Sequence, residues 1–180
     1  MEKIKKSLAY PKRPLINKPS LRDAENKDQV NVACYCKQAD LTICSSQVKN
    51  LVNVVLTYKQ IVCDTVICHF VDTATISALH RDFFNDPTPT DCISFPLDAP
   101  TASPPGDSIL GEIFVCPRIA IDYATTHQLN PYDEVSLYLI HGLLHLIGYT
   151  DTEPKKRAEM RRQEKACLCY LEEKKALLTP

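Results

Sequence analysis

Net charge is almost absent from this 180-residue chain: 21 Lys and Arg stand against 22 Asp and Glu, leaving −1. The chain as a whole therefore exerts no electrostatic pull on a polyanion. Also missing is any apolar run of the roughly 18 residues that a membrane helix needs. The basic amino terminus holds no apolar stretch of signal-peptide length. A soluble, cytoplasmic protein is expected. The nine cysteines include no Cys-x-x-Cys pair. Cys34 and Cys36, like Cys167 and Cys169, are too close together for good disulfide geometry within either pair. Reduced thiols are expected, with Cys63, Cys68, Cys92 and Cys116 acting as small buried hydrophobes in runs rich in Val, Ile and Phe. No internal repeat and no low-complexity tract occurs, which removes the repeat architectures.

What charge there is comes in clumps. The first 22 residues carry Lys3, Lys5, Lys6, Lys12, Arg13, Lys18 and Arg22 against Glu2 alone, and a second cluster runs Lys155, Lys156, Arg157, Arg161, Arg162. Each is either a solvated surface or a local hold on phosphates. Residues 1–29, with Pro11, Pro14 and Pro19, read as a basic flexible extension, and 30–180 as one domain. Within it, 30–36 is rich in β-formers and reads as a strand. Val48, Leu51, Val52, Val55 and Leu56 repeat at helical spacing after a serine. The run 64–72 reads as a buried strand, followed by a helix capped by Asp72. Two prolines make 85–91 a loop, 92–97 and 109–117 read as strands, and Pro117 opens another helix. The segment from Pro131 is the best helix in the chain, with Asp133 and Glu134 at its positive end and Gly148 past its last turn. A charged helix spans roughly 154–177. The fold class expected is α+β: a single domain with a mostly antiparallel or mixed sheet of about four strands covered by helices.

The chemistry concentrates in "HGLLHLIGYTD", His141 to Asp151. Residues i and i+4 stack on one helix face, so His141 and His145 can hold one ion together. Gly148 permits the chain to turn back, and Asp151 brings an anionic oxygen. Two histidines and a carboxylate form a catalytic zinc set with a fourth position left for water. The alternative is a chance i, i+4 pair in which a buried histidine donates to a backbone carbonyl. The glutamate of the zinc-protease motif H-E-x-x-H is missing, because position 142 is glycine, so peptide hydrolysis by that route is not expected. The same ligand types serve iron oxygenases, which usually draw them from strands rather than from one helix and its exit turn.

These residues resemble the YbeY family of bacterial endoribonucleases and rRNA maturation factors. The family signature H-G-x-L-H-L-x-G-Y-D-H is met at His141, Gly142, Leu144, His145, Leu146, Gly148 and Tyr149. "PTDCISFP" (Pro89 to Pro96) and "LGEI" (Leu110 to Ile113) match two further family segments, and Met160 and Glu164 fall where the family keeps Met and Glu in its last helix. The resemblance covers about residues 30–175. It implies an α+β fold with the metal site on a helix and its exit turn, one zinc ion per chain, and cleavage of RNA. It also implies a role in maturing the 3′ end of small-subunit ribosomal RNA and in ribosome quality control, with ribosomal RNA and the small subunit as partners. The alternative is a non-catalytic ribosome assembly factor with a structural or vestigial metal. Two departures stand out. The family's third ligand is a histidine, replaced here by Asp151 after Thr150. Its arginine before P-T-D is replaced by the pair Phe83, Phe84, so Arg81 either substitutes as the catalytic phosphate contact or is a surface residue.

Smaller expectations follow. Asp91 and Ser94 sit at a loop-to-strand junction and either line the cleft as substrate-binding residues or, for Asp91, cap backbone groups. Glu112 is either a partner to a ligand histidine or an outward polar residue. His69 reads as a satisfied core histidine, and His80 and His127 as surface residues.

Overall fold

The computed structural model describes residues 29–98 and 108–180. The extension expected at 1–29 lies outside the described residues but for Gln29. Among the described residues five helices and four strands follow one another as β1 (Asn31–Lys37), α1 (Ser45–Tyr58), β2 (Thr65–Val71), α2 (Thr73–Phe84), β3 (Cys92–Pro96), β4 (Ile109–Val115), α3 (Pro117–His127), α4 (Pro131–Leu146) and α5 (Pro154–Lys174). The strands form one open sheet in the order β1-β2-β4-β3.

The expected α+β domain is what forms, and the sheet is mixed. It is not mostly antiparallel: β1 pairs with β2 and β2 with β4 in parallel, and only β3 runs antiparallel to β4. The reason lies in the connections. A helix stands between β1 and β2, and a parallel pair needs such a crossover; β3 and β4, consecutive among the described elements, pair antiparallel. This leaves β3 at the sheet edge, where one flank can face a cleft.

Strand alternation divides the core. Val66, Cys68 and Phe70 of β2 and Ile113 and Val115 of β4 join the main cluster with Leu51, Val52 and Val55 of α1, Leu139, Ile140 and Leu143 of α4, and Met160, Cys167 and Leu171 of α5. Val71, Ile93 and Cys116 form a smaller cluster with Ile76 of α2, and Phe95 and Phe114 pack against it on the opposite face. All nine cysteines are free. Cys68 and Cys116 are buried as expected, whereas Cys63 and Cys92 are only half-buried. Cys63 sits in the turn before β2 and Cys92 opens the edge strand, so neither is enclosed on all sides. Among the described residues no helix is long and apolar enough to cross a membrane.

Two local devices place the functional helix. At its start, the Asn130 side chain accepts the Tyr132 N–H at 3.0 Å, with Pro131 next and Asp133 and Glu134 in the first turn. Along its length, α4 lies so close to β4 that only glycine fits where they touch. A Cβ on Gly111 would sit 2.5 Å from Leu146 Cδ2 and 2.5 Å from the Phe95 carbonyl oxygen. The leucine can rotate away, but that carbonyl belongs to the β3–β4 pairing and cannot. Gly111→Ala should therefore destabilise the fold by about 1–3 kcal/mol. Urea titration is expected to show a lower midpoint with an unchanged slope.

Candidate metal centre

The end of α4 is a Schellman turn. Gly148 has φ of 98°, a conformation that an L side chain adopts only at a cost. It lets the Gly148 N–H reach the His145 carbonyl at 3.0 Å and the Tyr149 N–H reach the Leu144 carbonyl at 3.0 Å. The reversal does more than end a helix. It carries the Tyr149 carbonyl back over His145, whose Nδ1–H donates to it at 2.9 Å. It also brings Asp151 beside both imidazoles.

His141 is oriented from farther away. Its Nδ1–H donates to Glu164 Oε1 of α5 at 2.6 Å. Glu164 lies one helical turn from the buried Met160 and three residues before Cys167, so the stripe that buries α5 also aims this carboxylate. With both Nδ1 atoms committed as donors, each Nε2 presents a lone pair, and the two lie 3.0 Å apart. Two lone pairs at that distance repel unless a cation sits between them. A proton carried by one Nε2 and shared with the other would serve, as would a metal ion. Burial pulls the His141 pKa down, but the Glu164 hydrogen bond and the charges of Glu164, Asp91 and Asp151 outweigh it, so the net shift is upward. Burial and the neighbouring His141 push His145 the other way. The two shifts make His141 the more basic ring of the pair.

Asp151 completes the set. Its oxygens stand 3.9 Å from His141 Nε2 and 4.0 Å from His145 Nε2, and one donor atom from each of the three residues falls within 4.8 Å of the others. Four donors about 2.0–2.1 Å from zinc in a tetrahedron stand about 3.4 Å apart. The Nε2 atoms at 3.0 Å are a little closer than that, and the Asp151 oxygens, Oδ2 at 3.9 Å from His141 and Oδ1 at 4.0 Å from His145, a little farther. The Asp151 side chain is 41% exposed, so no packing prevents a small approach. The donor set therefore fits a divalent metal. Cys92 is nearby but is not a competing thiolate in the metal-free chain, because burial first and the Asp91 charge next push its thiol far upward.

The three donors stand in a cleft of about 600 Å³ between the α4 exit turn, the edge strand β3 and the end of α2. Asp91 and Ser94 both line it, as expected. Asp91 also does what the other expectation asked: its Oδ1 accepts the Cys92 N–H at 2.7 Å and the Thr90 hydroxyl at 3.0 Å. Arg81 is not in the cleft. Its side chain is 61% exposed and its Nε pairs with Asp82 Oδ1 at 2.9 Å. The residues of α2 that face the cleft are His80 and Phe84, four apart, and Arg81 lies about 100° round the helix from His80. His80, expected at the surface, is the correction that goes with it. Glu112 is buried rather than outward, yet the groups that orient the ligand histidines are Glu164 and the Tyr149 carbonyl. His69 stacks between Tyr35 and Phe114, at centroid distances of 5.3 and 4.3 Å, and belongs to the sheet.

An α+β domain that holds a His-His-carboxylate donor set on a helix and its exit turn, open to a cleft, defines a class of metal-site protein. Comparison with known proteins narrows it. The family model described as "Endoribonuclease YbeY" matches residues 31–172, and the chain belongs to that family. It is 53% identical over 130 residues to "Endoribonuclease YbeY" of Protochlamydia amoebophila, covering 69% of this chain and 85% of that protein. It is 39% identical over 157 residues to the protein of that name from Chlamydia caviae, covering 85% and 98%. A solution structure from Thermotoga maritima aligns with a TM-score of 0.56 at 25% identity over 81% of this chain and 92% of that one.

Metal affinity should depend on pH in a way that names Glu164. Both Nε2 atoms must be bare to bind, and His141 keeps its proton above the ordinary imidazole range, so affinity should still be rising with pH beyond that range and fall on acidification. In Glu164→Gln the proton leaves at lower pH, so the acid-side loss begins lower. At alkaline pH the same variant should bind about 10–100-fold more weakly, because the ring is less firmly oriented. Chelator competition at a series of pH values measures both.

Proposed function

We propose that this chain is a metal-dependent endoribonuclease that acts in ribosomal RNA processing, with one zinc ion held by His141, His145 and Asp151. The observation that carries the reading is the convergence of three donor atoms within 4.8 Å in an open cleft, in a chain whose relatives bear the name endoribonuclease. Bound there, zinc supplies a water of lowered pKa and polarises a phosphoryl oxygen. The residues of the chain do the rest. Glu164 and the Tyr149 carbonyl hold the two rings with Nε2 towards the cleft. Asp151 adds a negative charge where the family signature has a neutral imidazole, which would return charge to a bound metal and temper its acidity. Ser94 offers a hydroxyl on the edge strand for substrate, and Asp91 holds the start of that strand in shape. The substrate is proposed to be ribosomal RNA of the small subunit.

One observation favours a second reading, a non-catalytic ribosome assembly factor with a structural metal. The described residues that line the cleft include no Lys or Arg to steady a developing phosphate charge. The two readings separate in one experiment. Asp151→Ala should lose metal by more than the about 10–100-fold expected for an outer hydrogen-bond partner, and cleavage of a structured ribosomal RNA fragment should disappear with it. His141→Ala should abolish cleavage while RNA binding persists. Cleavage that continues after the metal and both histidines are removed would sink the mechanism, and full zinc occupancy without cleavage would favour the assembly factor.

A further inference from the structure

Phe84 ends α2 with 56% of its surface exposed, on the wall of a cleft that is otherwise rich in hydroxyls and carboxylates. Its neighbour Phe83 has a structural use, packing on Phe95 with ring centroids 4.7 Å apart. Phe84 has no comparable one: its ring partner is His80, one helical turn earlier, at 5.5 Å. The pair is held in place. The His80 Nδ1–H donates to the Thr88 carbonyl at 2.8 Å. Thr88 is fixed in turn by Asp86, whose Oδ1 accepts its N–H at 2.9 Å and its hydroxyl at 2.7 Å. Asn85 follows Phe84 in a left-handed conformation, φ 60°, which stops the helix there and leaves the ring at its tip.

The cleft thus combines a metal site, no Lys or Arg among its described lining residues, and a preset aromatic pair. A polyanion entering it gains nothing from cationic side chains on those walls, so its hold must come from elsewhere. We propose that the exposed face of Phe84, its ring braced by His80 at an interplanar angle of 51°, forms a stacking shelf for an unpaired nucleobase of the RNA strand that lies in the cleft. The proposal rests on the RNA reading above and deepens it. Every base has a π face, and aromatic side chains are how proteins hold bases that have left a helix. A base in a duplex cannot reach the shelf without unpairing. Phe84 is thus the side chain of this chain that would grip the unpaired base beside the metal centre.

The test uses the full chain without metal, a short single-stranded oligoribonucleotide carrying a fluorescent purine analogue, and the same oligonucleotide annealed to its complement. The wild type should quench the analogue and prefer the single strand. Phe84→Leu, which keeps apolar volume but not the ring face, should weaken single-strand binding about tenfold, and Phe84→Trp should retain it. Removing the base at one nucleotide of the strand should cost the wild type as much as Phe84→Leu does, and the two losses should not add. Equal affinity of wild type and Phe84→Leu, or equal affinity for single and double strands, overturns the shelf; so would a shelf already filled by another part of the chain. Cleavage assays of the metal-loaded protein separate this result from the nuclease reading. Shelf-dependent binding without cleavage keeps the shelf and removes the nuclease. Cleavage with unchanged KM in Phe84→Leu keeps the nuclease and removes the shelf.

Discussion

Two imidazole nitrogens 3.0 Å apart, each on a ring that has already given away its other N–H, form an arrangement that needs a positive charge. This is the constraint on which the rest of the site depends. It arises because the Tyr149 carbonyl and Glu164 accept from the two Nδ1 atoms. A proton would meet the need, and a metal ion would meet it better because Asp151 stands within reach of both rings. The same carboxylates that raise the His141 pKa are the ones that would favour a dication there. Electrostatics and geometry point to one occupant class.

Much of this was legible because it is local. The i, i+4 spacing of the histidines, the glycine that reverses the chain and the carboxylate three residues later all lie within eleven residues, and helix geometry fixes how they meet. Asp72 caps α2 and Pro117 opens α3 for the same reason. What was not legible is non-local. Glu164 could be matched to a family pattern, but its hydrogen bond to a residue 23 positions earlier depends on how α5 packs. The sheet was underdetermined because a run of β-formers does not announce the direction of its neighbour. Arg81 was a natural choice by charge, but helix rotation decided otherwise: the cleft meets the stripe through His80 and Phe84.

The departures from the family pattern fall on opposite walls of one cleft. Asp151 changes the charge of the candidate metal centre, and the Phe83–Phe84 pair changes the wall where an arginine was expected. Phe83 is absorbed by packing on β3, while Phe84 is left to the cleft. The fold tolerates both because neither position lies in the main core. The close contact of α4 with β4 has no such freedom, since two glycines, Gly111 and Gly142, carry it.

The reach of Glu164 also bears on how the protein comes into being. Everything needed to place His145 and Asp151 is synthesised together, but the group that orients His141 is made 23 residues later, on the helix whose Met160, Cys167 and Leu171 close the core. The centre is therefore incomplete until α5 has docked on the core. For a protein proposed to cut ribosomal RNA, that dependence ties competence to the packing of α5 and not to the histidine motif alone.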